Sequence, residues 1–171
     1  MIQKPILLAS SLALTFLGYY GISQAQTTNT QQANAQQPRW IVMCNNRASP
    51  ERLNCSMTQV VTVANGNSRQ RVISATIHQQ GGESEILATL PHRLNLQDGV
   101  GFSIDDATPE RFNIHTADAN GSHTRIPLTK DRVSAMKKGA TMNFNVVGQT
   151  GGNVKLQISL SGFTQAYNLM K

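Results

Sequence analysis

The sequence is poor in aromatic residues and contains no run of basic ones. Phe, Trp and Tyr make up 5% of its 171 residues, and Lys137-Lys138 is the only adjacent pair of cations. Proteins that bind nucleic acid usually combine clustered cations with aromatic side chains on which bases stack. The formal net charge of +6 therefore predicts a cationic surface without a nucleic-acid partner. Electrostatic contact with an anionic membrane surface or polysaccharide remains compatible with it.

The motifs of common enzyme classes are also missing. No Gly-x-Ser-x-Gly occurs, so the strained turn that presents a hydrolase serine has no counterpart. The acidic pairs Asp105-Asp106 and Glu83 with Glu85 invite comparison with the paired carboxylates of glycosidases. Neighbouring residues of a strand or loop point in different directions, however, so we expect these carboxylates to be solvated. We therefore predict no catalytic residues, no cofactor and no enzyme activity.

Long hydrophobic runs are absent, apart from one near the start of the chain. Residues 6–17 are apolar except for two serines and a threonine, and Ser23-Gln24-Ala25 places small residues where a signal peptidase reads them. The run is shorter than the ~20 residues that a membrane span needs. It predicts a signal peptide over residues 1–25, with a retained membrane anchor as the alternative.

The segment that follows, residues 26–38, consists almost wholly of Gln, Asn, Thr and Ala. Such a composition cannot bury enough apolar surface to offset the entropy of ordering, so it predicts a disordered linker. The folded part is then residues 39–171, which is within the usual size of one domain.

Cysteine is scarce, since Cys44 and Cys55 are the only two. In an exported chain such a pair favours a disulfide, which would stabilise the fold by roughly 3 kcal/mol in the chain-entropy model. Two buried free thiols are the alternative. A zinc site is disfavoured because no second close pair of ligands accompanies the cysteines.

What the sequence does contain is alternation of apolar and polar residues in short runs. Turn dipeptides such as Asn65-Gly66, Asp98-Gly99 and Asn120-Gly121 separate several of these runs. The pattern predicts an all-β fold, an immunoglobulin-like antiparallel β-sandwich with one or two short helices. The predicted strands lie at 40–44, 55–63, 71–78, 86–90, 100–104, 111–116, 123–128, 141–147 and 154–160.

Two short segments have helical features. Thr129 is a suitable N-cap for residues 130–138, which carry Asp131 in the first turn and basic residues in the last, before Gly139. Gly162 opens a final turn through Tyr167. Neither segment is long enough to alternate with strands as a parallel sheet requires.

Two sets of residues are candidates for a metal site or a partner-binding site. His115, Asp118 and His123 fall on one predicted hairpin, between 111–116 and 123–128, and include the ligand types of zinc or copper. Exposed hairpin residues without a metal are the favoured interpretation. Trp40 shares a strand face with Val42 and Cys44, so we predict that it packs in the core rather than anchoring a partner. No partner-binding residues stand out.

Several motifs together resemble the invasion-associated locus B family of bacterial envelope proteins. They are Trp40-x3-Cys44 with Cys55-x-Met57, the stretch 87–102 (LATLPHRLNLQDGVGF), Ile126-Pro127-Leu128, Lys137-Lys138-Gly139 and the segment 159–166 (SLSGFTQA). The resemblance covers nearly all of 39–169. It implies a signal-bearing periplasmic or surface protein of immunoglobulin-like form, in a family named for members linked to invasion of host cells, notably erythrocytes. It carries no catalytic residues.

One position pair departs from that family. Many relatives have a second cysteine pair, in a pattern like Phe-x-x-Cys followed by Gly-Cys. Here the corresponding residues are Phe112-x-x-His115 and Gly121-Ser122. The second bridge is therefore absent, and we predict that this hairpin opens more easily than the rest of the sheet.

These observations predict an exported, non-enzymatic protein located in the periplasm, on the outer membrane or outside the cell. Its partner would be a protein or another component of a cell surface, met through loops and a cationic surface. A structural or chaperone-like module of the periplasm is the alternative function. The oligomeric state does not follow from the sequence.

Overall fold

The computed structural model describes residues 39–46, 53–80 and 83–170. The predicted signal peptide and linker lie outside these residues. Within the described part, ten strands and two helices follow one another. The strands are β1 Ile41–Asn45, β2 Asn54–Asn65, β3 Ser68–Gln80, β4 Glu83–Leu90, β5 Val100–Ile104, β6 Glu110–Phe112, β7 Ile114–Asp118, β8 Gly121–Pro127, β9 Thr141–Val147 and β10 Asn153–Ser159; the helices are α1 Lys130–Lys138 and α2 Phe163–Leu169.

The strands form two antiparallel sheets. One has the order β1-β2-β3-β4-β8-β7 and the other the order β10-β9-β5-β6. The Asn65-Gly66 step turns β2 into β3 as predicted, because Gly66 adopts a φ of +59° that glycine tolerates without strain. The prediction of an antiparallel β-sandwich with two short helices is confirmed.

The core lies between the sheets and is built from the alternating apolar residues of the central strands. In β9, Met142, Phe144 and Val146 are at most 2% exposed, and the same alternation buries one face of β3 and β4. Fully buried apolar side chains each stabilise the fold by about 1.5–3 kcal/mol. The buried apolar residues of β3 and β4 are Ile73, Ala75, Ile77, Ile86, Ala88 and Leu90.

The region around Asn113 differs from the prediction. Residues 111–116 were expected to form one strand of a hairpin with 123–128, but the chain changes sheets in the middle of this segment. β6 pairs with β5 in the smaller sheet, whereas β7 pairs with β8 in the larger one. Thr124, which is fully buried, donates its hydroxyl to the Asn113 carbonyl at 2.9 Å. This bond satisfies a carbonyl that neither ladder can use.

Helix α1 has the predicted ends. Thr129 accepts a hydrogen bond from the Arg132 backbone N–H, and Asp131 lies in the first turn. Gly139 ends the helix, but in an extended conformation rather than a left-handed one. A Cβ there would lie 2.6 Å from Cγ2 of Ile104 and 2.9 Å from Oδ2 of Asp105, so glycine fits this position because the side chains at the end of β5 are so close.

Helix α2 covers the inner side of β1. Phe163 is fully buried, and its ring meets Trp40 edge-on with centroids 5.6 Å apart. The Trp40 indole N–H donates to the Ser159 carbonyl at 3.2 Å, so its polar atom is satisfied. Trp40 therefore packs against the core, as predicted. Neither described helix has the length and hydrophobicity to cross a bilayer.

Candidate functional site

The predicted cysteine pair forms a disulfide across the β1–β2 ladder. Cys44 lies directly opposite Cys55, with their Cα atoms 4.0 Å apart and a sequence separation of 11. Both cysteines are thus accounted for by one bridge. This bridge clamps the outermost strand of the larger sheet to its neighbour. Cys44 itself is exposed, whereas Val42 on the same face is half-buried.

The hairpin β7–β8, at the opposite side of that sheet, is held by polar contacts. Nε2 of His123 lies 2.9 Å from Oδ1 of Asp118, and Nδ1 of the same ring lies 3.3 Å from Oγ1 of Thr89 on β4. Asp118 also accepts the backbone N–H of Asn120 at 2.7 Å. The hydrogen bond from His123, followed by that from Asn120, lowers the pKa of Asp118 from 3.8 to about 2.

His115 does not join this pair. It is the residue skipped where the β7–β8 register shifts between Ile114 and Thr116, and Thr116 rather than His115 lies opposite His123. The two histidines therefore do not face each other across the hairpin. Among the described residues, no group of three His, Cys, Asp or Glu side chains is placed to hold a metal ion. The contacts of Asp118 and His123 join the two strands near their turn.

One residue of each acidic pair, Glu85 and Asp105, has structural contacts. Glu85 forms an ion pair with Arg125 on the neighbouring strand β8. Asp105, which was expected to be merely solvated, instead accepts backbone N–H groups of Ala140 and Thr141 at 2.9–3.2 Å. Its φ of +50° places the carboxylate for this role at the start of β9. Asp105 therefore joins the β5 end to the α1–β9 connection.

Four basic side chains gather at one end of the sandwich, although they are far apart in sequence. A chain of contacts defines this end: Arg71 donates to the Asn120 carbonyl, and His92 lies 3.3 Å from the Ala119 carbonyl. The neighbouring Arg93 carbonyl accepts from the Gln149 N–H at 2.7 Å. We call Arg69, Arg71, His92 and Arg93 the basic end. All four are exposed.

The basic end was difficult to predict from the sequence. Arg69 and Arg71 follow the predicted Asn65-Gly66 turn, so a position near a hairpin tip was accessible to sequence reasoning. Arg93 lies after Pro91 in a connection without periodicity, and the contacts of His92 with Ala119 and of the Arg93 carbonyl with Gln149 place it here. Basic residues that are far apart in sequence therefore lie at one end of the molecule.

A cleft of about 1000 Å³ opens near the disulfide, at the other end of the molecule. Leu128, Val133 and Tyr167 contribute apolar surface, and Lys130 and Lys137 stand at its border. The Lys137 ammonium lies 5.2 Å from the centroid of the Tyr167 ring, so one of the two lysines makes a cation–π contact.

The described part of the molecule is thus a disulfide-bonded antiparallel β-sandwich with one basic end. A family model described as "Invasion associated locus B (IalB) protein" matches residues 40–171, and the chain belongs to this family. The predicted resemblance is confirmed over that range.

The fold agrees with a solved structure. The crystal structure of invasion associated protein B from Bartonella henselae matches with a TM-score of 0.67 and 17% sequence identity, over 78% of this chain and 92% of that chain. At this identity the likeness concerns the fold. A comparison with curated protein sequences finds no match.

Proposed function

We propose that this chain is an exported, non-enzymatic envelope protein that binds an anionic component of a host-cell surface through its basic end. Family membership supports an envelope role, and the Cys44–Cys55 bridge suits an oxidising compartment outside the cytoplasm. The observation that carries the proposal is that Arg69 and Arg71, at the start of β3, and Arg93, in the β4–β5 connection, lie at the same end of the molecule.

Electrostatics gives this end its binding capacity. Among the described residues, the carboxylate that the hydrogen bonds place nearest to the basic end is that of Asp118, and His123 already contacts it. The arginines are therefore left to face solvent, apart from the bond of Arg71 to Asn120. A basic residue near an anionic membrane surface contributes about 1 kcal/mol to binding, and salt screens this attraction.

Binding of the exported protein to erythrocyte membranes at low and high salt tests the proposal. The variant carries Arg69→Gln, Arg71→Gln and Arg93→Asn; asparagine is chosen at 93 because it tolerates the φ of +62° there. We expect binding at low salt to weaken on the order of 100-fold, from about 1 kcal/mol for each of three cations.

The control removes equal charge from the opposite end, with Lys130→Gln, Lys137→Gln and Lys138→Gln. It should bind far better than the arginine variant, although net charge is the same. Equal loss in both variants would reduce the effect to net charge and contradict a specific site. No binding at low salt, together with resistance to protease added to intact cells, would favour the structural or chaperone-like periplasmic module instead.

A further inference from the structure

The free side of β1 presents unused backbone groups. β1 is the outermost strand of the larger sheet, and it pairs only with β2. The 4.0 Å Cα separation of Cys44 and Cys55 marks a non-hydrogen-bonded pair of the antiparallel ladder. Pairs alternate, so Val42 is also in a non-hydrogen-bonded pair. The N–H and C=O groups of Val42 and Cys44 therefore point away from β2, and among the described strands no other one pairs with them.

The other three sheet edges carry features that discourage strand addition, and β1 does not. β7 has a bulge and ends in Asp118, β6 contains Glu110 and Arg111, and β10 contains Lys155. Natural proteins protect sheet edges with such charges and bulges. β1 reads Ile-Val-Met-Cys-Asn, without a charge, a proline or a shift in register.

The side chains of β1 point to the same conclusion. Ile41 and Met43 are 63% and 62% exposed on the outer face, although both are large and apolar. Val42, on the other face, packs against the core. An extended strand with free backbone groups and two exposed apolar side chains is suited to pairing with another strand.

We propose that a second copy of this chain pairs with β1 in antiparallel fashion, centred on Val42. Strand β1 is uncharged, so two copies can meet without repulsion between like charges. In this register Val42 exchanges both backbone hydrogen bonds with Val42 of the second copy, and Cys44 lies opposite Trp40. Each Ile41 then lies directly opposite Met43 of the other copy, in a non-hydrogen-bonded pair whose side chains touch.

The size of the contact sets the expected affinity. A pair of five-residue strands buries well below the roughly 1,200 Å² of a standard stable interface. The dimer is therefore a weak one, formed at high local concentration, as when many copies occupy one surface. The pairing is independent of the basic end, which lies at the start of β3 and in the β4–β5 connection, next to the β7–β8 turn.

Sedimentation of the exported protein, from about 10 μM to 1 mM, tests the pairing over the range of weak interfaces. We expect a concentration-dependent equilibrium between monomer and dimer. Met43→Lys, and separately Ile41→Glu, should each weaken dimerisation about fivefold to tenfold, because each places two charges opposite apolar side chains. Both side chains are exposed, so the melting temperature of the monomer should not change. Leu96→Lys, at a site that is 45% exposed in the β4–β5 connection, is the matched control.

Mixing the two variants tests the register. In a mixed dimer, Lys at 43 lies opposite Glu at 41, and the remaining Met43 lies opposite Ile41, so association should return to within about twofold of the unmodified protein. A mixture of Met43→Lys with Met43→Glu should not recover. Recovery in that second mixture would contradict the register centred on Val42. A protein that stays monomeric at about 1 mM, or a dimer that is indifferent to Met43→Lys, would overturn the proposal and leave this edge to a strand of another protein.

Discussion

The larger sheet ends at one side in β1–β2 and at the other in β7–β8, and these two pairs are held together differently. A disulfide joins β1 to β2, whereas the contacts of Asp118 and His123 and a buried threonine hydroxyl support β7–β8. The two edges also differ, in the opposite sense, in how well they are protected against pairing with a further strand. The covalently clamped edge is uncharged and regular, and the other edge is bulged and charged.

The difference shows that fixing an edge strand in place and shielding its open side are separate tasks. A cross-link holds β1 on its sheet but leaves its outward backbone groups free. The bulge at His115 spoils the outer edge of β7 for pairing, yet it also weakens the β7–β8 ladder. Measurements of stability and of opening can therefore distinguish the two pairs.

The largest effect should come from removing the clamp. Replacing both cysteines, Cys44→Ser with Cys55→Ser, should lower the free energy of unfolding by about 3 kcal/mol. The reason is that the disulfide closes a loop and so lowers the entropy of the unfolded chain, and the variant regains this entropy on unfolding. Denaturant unfolding of the variant and of the unmodified protein measures the change. Unmodified protein kept in reductant should match the variant. A loss below about 1 kcal/mol would mean that β1 is held mainly by the Trp40 packing.

A smaller difference is expected in the opening of the two hairpins. Amide hydrogens in the β7–β8 ladder should exchange at least about tenfold faster than those of β2–β3 near Met57 and Ile77, because β7 is an exposed edge strand without a cross-link. Hydrogen exchange followed residue by residue by NMR measures both. Equal protection in the two hairpins would show that polar contacts hold β7 as firmly as the inner strands are held.

The smallest effect concerns the titration of Asp118. NMR titration should give a pKa of about 2 for its carboxyl group, and His123→Gln should move the value back toward 3.8. Because the folded-state pKa is lowered, the contact stabilises the hairpin above about pH 4 and this contribution is lost as the pH falls toward 2. His115→Gln, on the same hairpin but outside the contact, is the control. An unchanged pKa in His123→Gln would assign the shift to the Asn120 N–H.

The fold could be predicted to the extent that it depends on local pattern. Alternation located the buried face of β9, Asn65-Gly66 located a turn, and Thr129 with Gly139 bounded α1. The break at Asn113 was not predicted, because the apolar pattern continues through it and the hydroxyl that bonds to the Asn113 carbonyl comes from Thr124 on another strand. The basic end was not predicted for the same reason, since Arg71 and Arg93 come to one end of the molecule through contacts between residues distant in sequence.

The change of sheet at Asn113 has a mechanical consequence. One residue, Asn113, separates β6 from β7, so the backbone passes from one layer to the other within that residue. Pulling β7 outward therefore draws directly on β6, and neither layer can shift by a register step unless the other yields. On the opposite side, the described residues connect the layers through side chains, as in the hydrogen bond from the Trp40 indole, next to β1, to the Ser159 carbonyl of β10.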